Sequence, residues 1–178
     1  MPDFLAARRT RIAAALAPAL GDAVLLVGAG DPIPLPENTD QTYPFFSHAE
    51  YFYLSGHECP GGVVAFDPHD GPAAGWISFV PEITEAERVW EGREQLPGQS
   101  LSLLDPWLAQ RRHRPVVNLG APLSGIRSDE ALDASLREHL KHARRPKDAR
   151  EISLLRRTAA ATAAGYESLR AHLRPGVS

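Results

Sequence analysis

The chain has 178 residues, 43% hydrophobic and 23% charged, with a net charge of −3 from 19 basic and 22 acidic side chains. That length suits one full domain, or one domain with a piece of another. The charge balance supplies no global field for nucleic acid or an anionic membrane, and a single cysteine, Cys59, excludes an internal disulfide and fits a reducing compartment.

The first residues do not read as a signal peptide, because Arg8, Arg9 and Arg11 interrupt the apolar ones. No run approaches the ~18 consecutive apolar residues of a membrane span. A cytoplasmic protein is expected. Residues 3–20 are predicted helical: Asp3 can cap them, Leu5, Ile12 and Leu16 share a face, and Gly21 stops them. DAVLLVG, 22–28, is a short apolar run ended by glycine, the pattern of a buried strand. Residues 29–47 form a long loop, since Pro32, Pro34, Pro36 and Pro44 oppose helix. EYFYLSG, 50–56, is aromatic at successive positions and is predicted to be a strand covered on both sides.

A hairpin follows, from Val63–Phe66 through the turn DPHDG to 75–80. A short helix is expected in ITEAERVWEGR, ending near Gly92, and another with Asp105 capping and Pro106 in its first turn. PVVNLG reads as a strand and SDEALDASLREHLKHA as an amphipathic helix capped by Ser128. Strands and helices thus intermix, which predicts an α/β fold, a mixed β-sheet flanked by helices. The domain is expected to occupy 1–143, with a basic linker at 144–147. In 148–178, Asp148 and Glu151 form a capping-box pattern. From there Ile152, Leu155, Ala159, Thr162, Tyr166, Leu169 and Leu173 recur at three- and four-residue steps, one apolar stripe on one long helix. It packs back on the first domain or opens a second one.

Several motifs have simpler structural readings. Gly28 and Gly30 follow a strand, but Ile33 stands where a dinucleotide fingerprint needs its third glycine. HEC at 57–59 has no second histidine at ligand spacing, and His48 and His69 do not complete one. RRHR, 111–114, and the basic stretch 141–147 read as solvated helix ends, and Asp67 and Asp70 as turn formers. Two features stand out. Six of the 13 aromatics crowd into 38–56: Tyr43, Phe45, Phe46, Tyr51, Phe52 and Tyr53. Trp90 stands among Arg88, Glu91 and Arg93, either filling the core or presented as an exposed contact.

Together these residues resemble the N-terminal domain of the aminopeptidase P, prolidase and creatinase family. The resemblance rests on an Arg-rich first helix before DAVLLVG, then Asp40, Tyr43-Pro44-Phe45, the aromatic EYFYLSG and WEGR at 90–93. It closes on a basic linker and a helix ending in Arg-Pro-Gly. It implies a ribonuclease H-like N-terminal domain that precedes the first helix of a catalytic pita-bread domain. It implies a parent that hydrolyses the N-terminal Xaa-Pro bond with two divalent metals, usually manganese, held downstream of this chain. The metals share an activated hydroxide in such a centre. The chain would then be an inactive N-terminal fragment with no catalytic residue, metal ligand or cofactor of its own. Its partners would be its own catalytic domain, further copies in a homo-oligomer and proline-containing peptides. By position, Asp40 and Trp90 match residues that reach a neighbouring subunit's active site, Asp40 for a substrate α-amino group and Trp90 as a wall for a proline ring; Arg93, nearby, would orient Asp40 or a substrate carboxylate. A free-standing binding or scaffold domain, and a domain of a creatinase-like hydrolase, are the alternative readings.

Overall fold

The computed structural model describes residues 3–36, 41–174 and 176. They divide into two compact units, Met1–Ala143 and Arg144–Ser178. The first unit is built on strand β1 (Val24–Gly28), every residue of which is buried. It pairs antiparallel with β2 (Val63–Phe66) and parallel with β5 (Val116–Gly120). β3 (Trp76–Val80) extends the sheet antiparallel to β2, and the two-residue β4 (Gln99–Ser100) pairs parallel with β3. The order is β4-β3-β2-β1-β5, a mixed five-stranded sheet.

Because strand side chains alternate, β1 feeds two cores. Leu25 and Val27 face helices α1 (Asp3–Leu20), α2 (Ala49–Ser55) and α5 (Glu130–Ala143), where Ile12, Leu16, Tyr51, Leu54, Leu136 and Leu140 are fully buried. Val24 and Leu26 face α4 (Leu104–Ala109), packing with Phe79, Leu104 and Trp107. A central strand covered on both faces needs apolar residues at consecutive positions, which is why VLLVG does not alternate. At its end Gly28 pairs with Gly120. A Cβ on Gly28 would lie 2.4 Å from the Ala121 carbonyl oxygen, so no larger residue fits.

EYFYLSG is helix α2, not a strand. Three local devices decide it. His48 caps the start, its Nδ1 accepting from the Glu50 N–H. Gly56 ends it in the left-handed region at φ 79°, its N–H donating to the Phe52 carbonyl. The next two carbonyls, on Tyr53 and Leu54, accept from Arg8 Nη1 (3.0 Å) and Arg9 Nε (2.8 Å). Seven residues are too few for a helix to hold alone, so α2 exists through these tertiary partners. Its aromatics then divide by helical position: Tyr51 and Tyr53 are buried and Phe52 is exposed.

Two caps differ from expectation. Asp105 is not the N-cap of α4; a 3-10 turn at Leu101–Leu103 runs directly into the helix, leaving Asp105 in the first turn. In α5 the Leu132 N–H is capped by Asp129 Oδ1, while Ser128 Oγ donates to Asp133 Oδ2. The turn DPHDG and the run RRHR are coupled rather than solvated. Asp67 is 2% exposed. It receives Arg114 Nη1 at 2.9 Å on both oxygens, Arg111 Nε at 2.6 Å and the His69 N–H at 2.9 Å. Arg114 Nε also donates to the Asp22 carbonyl, so one carboxylate ties the starts of β1 and β5 to the end of β2.

The second unit is one helix, α6 (Ala149–His172), closed at its start by the Asp148–Glu151 capping box. Leu155, Tyr166 and Leu169 of its stripe are more than half exposed. A single helix cannot cover its own apolar stripe.

Burial alone would push the Asp67 carboxyl up, but the bonds from Arg111, the His69 N–H and Arg114 outweigh it and hold it below the ordinary range. A depressed folded pKa contributes stability above the unfolded value of about 3.9, lost as pH falls through the folded value. Asp67→Asn is expected to cost about 3 kcal/mol or more at pH 7, since it strands buried guanidinium charge. Denaturant unfolding of wild type and variant should show that gap close on acidification below about pH 4.

Candidate functional site

The exposed aromatic surface is concentrated on two segments of the first unit. One is α3 (Glu85–Trp90) with the turn after it. Thr84 and Glu87 form a capping box: Thr84 Oγ1 accepts from the Glu87 N–H, and Glu87 Oε2 accepts from the Thr84 N–H (2.8 Å) and hydroxyl (2.9 Å). The other Glu87 oxygen accepts from Arg93 Nη1 at 2.6 Å. Between them Gly92 adopts φ 64°, which turns the chain so that Arg93 folds back on the helix. Gln95 braces the base, accepting from the Ile83 N–H and donating to the Pro81 carbonyl. All these polar groups point into the loop. Val89 and Trp90 point out, Trp90 at 86% exposure. Trp90 therefore does not fill the core.

The second segment is the loop 29–47. Its arms pair through the bridge Pro34–Thr42 and the bonds Tyr43 N–H to Ile33 O and Leu35 N–H to Gln41 O. Its tip carries Asp40, which lies outside the described residues, so the geometry of this candidate stays a sequence expectation. Phe45 packs against the main core, whereas Tyr43 and Phe46 are exposed. The returning arm is anchored by Glu58 Oε2, which accepts from the Ser47 N–H, and by the Cys59 N–H, which donates to Ser47 Oγ at 3.1 Å.

Beside α3 lies a cleft of about 250 Å³, where Glu58, Cys59 and Pro60 face Ile83, Arg93 and Leu96. Arg93 thus shares a cleft with Glu58, which anchors the returning arm of the loop 29–47. The structure places Trp90 on the outer side of α3, away from Arg93's bond to Glu87. Two contributors were not singled out from sequence. Glu87 was legible in principle, as T-x-x-E before a helix. Glu58 was not, because its bond to Ser47 depends on how the loop closes.

Burial pushes the Cys59 thiol up, against smaller opposite effects of Tyr51 and Arg93, so it is a neutral thiol and a poor nucleophile near pH 7. Among the described residues no cluster of His, Cys, Asp and Glu is arranged to hold a metal ion. No helix of the described residues is long and apolar enough to cross a membrane.

Comparison with known proteins follows the same lines. The family profile described as "Aminopeptidase P, N-terminal domain" matches residues 5–104. Among solved structures, proline aminopeptidase P II from Yersinia pestis superposes with a TM-score of 0.68 at 16% identity, covering 96% of this chain and 46% of its own. A variant of Escherichia coli aminopeptidase P gives 0.64 at 16% identity, covering 95% and 46%. Icp55 from Saccharomyces cerevisiae gives 0.56 at 20% identity, covering 86% and 39%. At these identities the likeness shows the fold, a mixed sheet flanked by helices. The chain spans less than half the length of each. No curated protein matches it.

Hydrogen bonds from the Thr84 N–H and hydroxyl, helped by Arg93, hold the Glu87 carboxyl below its ordinary range. The sign is that of Asp67: the clasp is present above the ordinary carboxylate pKa and opens only as pH falls below it. NMR amide shifts of Thr84, Glu87 and Arg93 are expected to stay flat from pH 7 to about 4.5 and to move together below that. In Glu87→Ala the amides of 84–93 are expected to exchange with solvent faster, with the sheet amides unchanged.

Proposed function

We propose a function from one premise: the chain belongs to the aminopeptidase P N-terminal domain family. It is the non-catalytic N-terminal domain of a manganese-dependent Xaa-Pro peptidase, and it contributes substrate access and oligomerisation. The observation that carries this reading is Trp90, 86% exposed on a segment clasped by the bonds of Thr84, Glu87 and Arg93. Leaving an indole in water on a rigid mount is unfavourable unless a partner covers it, and Trp is among the commonest interface anchors.

The partner is a neighbouring subunit's active site. Trp90 offers a flat apolar wall to a proline ring, and Asp40 a carboxylate to the substrate's α-amino group. Arg93 spends Nη1 on Glu87 and Glu91, and its remaining donors are free to orient a carboxylate, of Asp40 or of a substrate. The described residues do not fit a metal pair, so the two metals are assigned to a catalytic domain and no step is routed through this unit. The stripe of α6 is the natural seat for that domain, because it presents Leu155, Tyr166 and Leu169 outward at helical spacing.

In the parent enzyme, Trp90→Ala and Asp40→Ala are each expected to lower kcat/KM for longer Xaa-Pro peptides by about tenfold or more, the loss of one well-seated anchor. Steady-state assays of both variants, with sedimentation to confirm an unchanged oligomer, check this; unchanged kcat/KM removes the substrate role. The 178-residue chain with Mn²⁺ is expected to cleave nothing.

A further inference from the structure

A second cavity, of about 500 Å³, opens between α1, the end of α2 and the segment 96–98. Its wall is mostly apolar, with Phe4, Leu5, Leu96 and Pro97, and its size lies in the range of small-ligand pockets. Four polar side chains also line it, Arg9, Ser55, His57 and Ser78.

Arg9 is 4% exposed, yet no carboxylate pairs with it among the described residues. Its Nε donates to the Leu54 carbonyl and its Nη2 to Ser78 Oγ at 2.9 Å, both neutral acceptors. The guanidinium also lies 5.8 Å from the centre of the Trp76 ring. The end of α2 supplies at most about half a negative charge, and Arg8 draws on the same helix end. The neighbourhood therefore keeps net positive potential in a poorly solvated place. Buried charges are ordinarily paired, so an unpaired one facing a cavity has spare binding capacity. Burial lowers the Arg9 pKa to about 10, which leaves it fully cationic near neutrality. His57 adds no charge: burial, helped by the Arg9 charge, lowers its pKa, and its Nε2 is buried with no hydrogen-bond partner among the described residues.

We propose that this cavity is a binding site for a small free carboxylic acid with a branched or aromatic apolar body, its carboxylate on Arg9 and its body against Leu5 and Leu96. Charge complementarity selects the head group. A cation meets repulsion, and a neutral amide can accept a hydrogen bond from the guanidinium but forms no ion pair with it. The apolar wall selects the tail, since a free acetate would leave most of the cavity unfilled.

The test is calorimetric titration of the 178-residue chain with 4-methylpentanoate, 4-methylpentanamide and acetate. Saturable one-to-one binding of 4-methylpentanoate is expected, with the amide and acetate each about tenfold weaker or more. Quenching of tryptophan fluorescence should track the same curve, because Trp76 stacks near Arg9. Leu96→Trp, at the partly exposed rim, is expected to fill the cavity and abolish binding while the melting temperature stays. Arg9→Lys should weaken binding; if that variant does not fold, Leu96→Trp decides alone. Equal binding of acid and amide, no saturable binding up to about 10 mM, or undiminished binding to a folded Leu96→Trp would each overturn the proposal.

Discussion

The first unit depends on how the short helix α2 is ended. Its last carbonyls have no partners along the helix, and α1 supplies them through Arg8 and Arg9. Arg9 reaches on to Ser78 of β3, so one side chain joins two helices and the sheet. At the other end of α2, Glu50 accepts from the Gly120 N–H at 2.7 Å, which fixes the helix against β5. With both ends held, Tyr51 and Leu54 are fully buried and the main core closes around them. The same tie sets Arg9 beside the cavity with two neutral acceptors, the Leu54 carbonyl and Ser78 Oγ.

Where sequence reading succeeded, one strong local pattern had no competitor. VLLVG carries four apolar residues ended by glycine, and a fully buried strand is the simplest structure that uses them. Asp148-x-x-Glu151 closes as a capping box because both partners lie within one turn. EYFYLSG failed for the opposite reason. Its aromatics favour strand by propensity, and the groups that override them lie elsewhere: His48 just before it, Gly56 just after, and two arginines of the first helix. Arg111 and Arg114 were misread on the same ground, since the charge they serve lies more than forty positions away in the chain. As for the candidate site, Trp90 and Arg93 were visible as residues, while the Glu87 bond that separates their roles appeared only in three dimensions.

The carboxylates of this unit with close contacts share one kind of work. Glu50 accepts a strand N–H, Glu58 a loop N–H, Asp133 the Asn118 N–H, and Asp67 a turn N–H together with two arginines. Each stabilises the backbone at the point where an element begins, ends or meets another. A carboxylate committed in this way has its lone pairs and charge already engaged, and is poorly placed to take up a proton or a metal during a reaction.

What stays uncommitted is of a different kind. Trp90 has its ring in water on a clasped loop, the stripe of α6 presents large apolar side chains, and Arg9 holds an unpaired charge beside an apolar cavity. None of these breaks a bond; each waits for a surface or a ligand. The cost of holding them open is met by the rigid parts: Glu87 for the tryptophan, the Asp148–Glu151 box for the helix, and the end of α2 for the arginine. A domain built this way acts by what it presents, and its three open features face different demands. An exposed indole selects a flat apolar partner, an amphipathic helix selects a packed domain, and a buried cation selects a small anion.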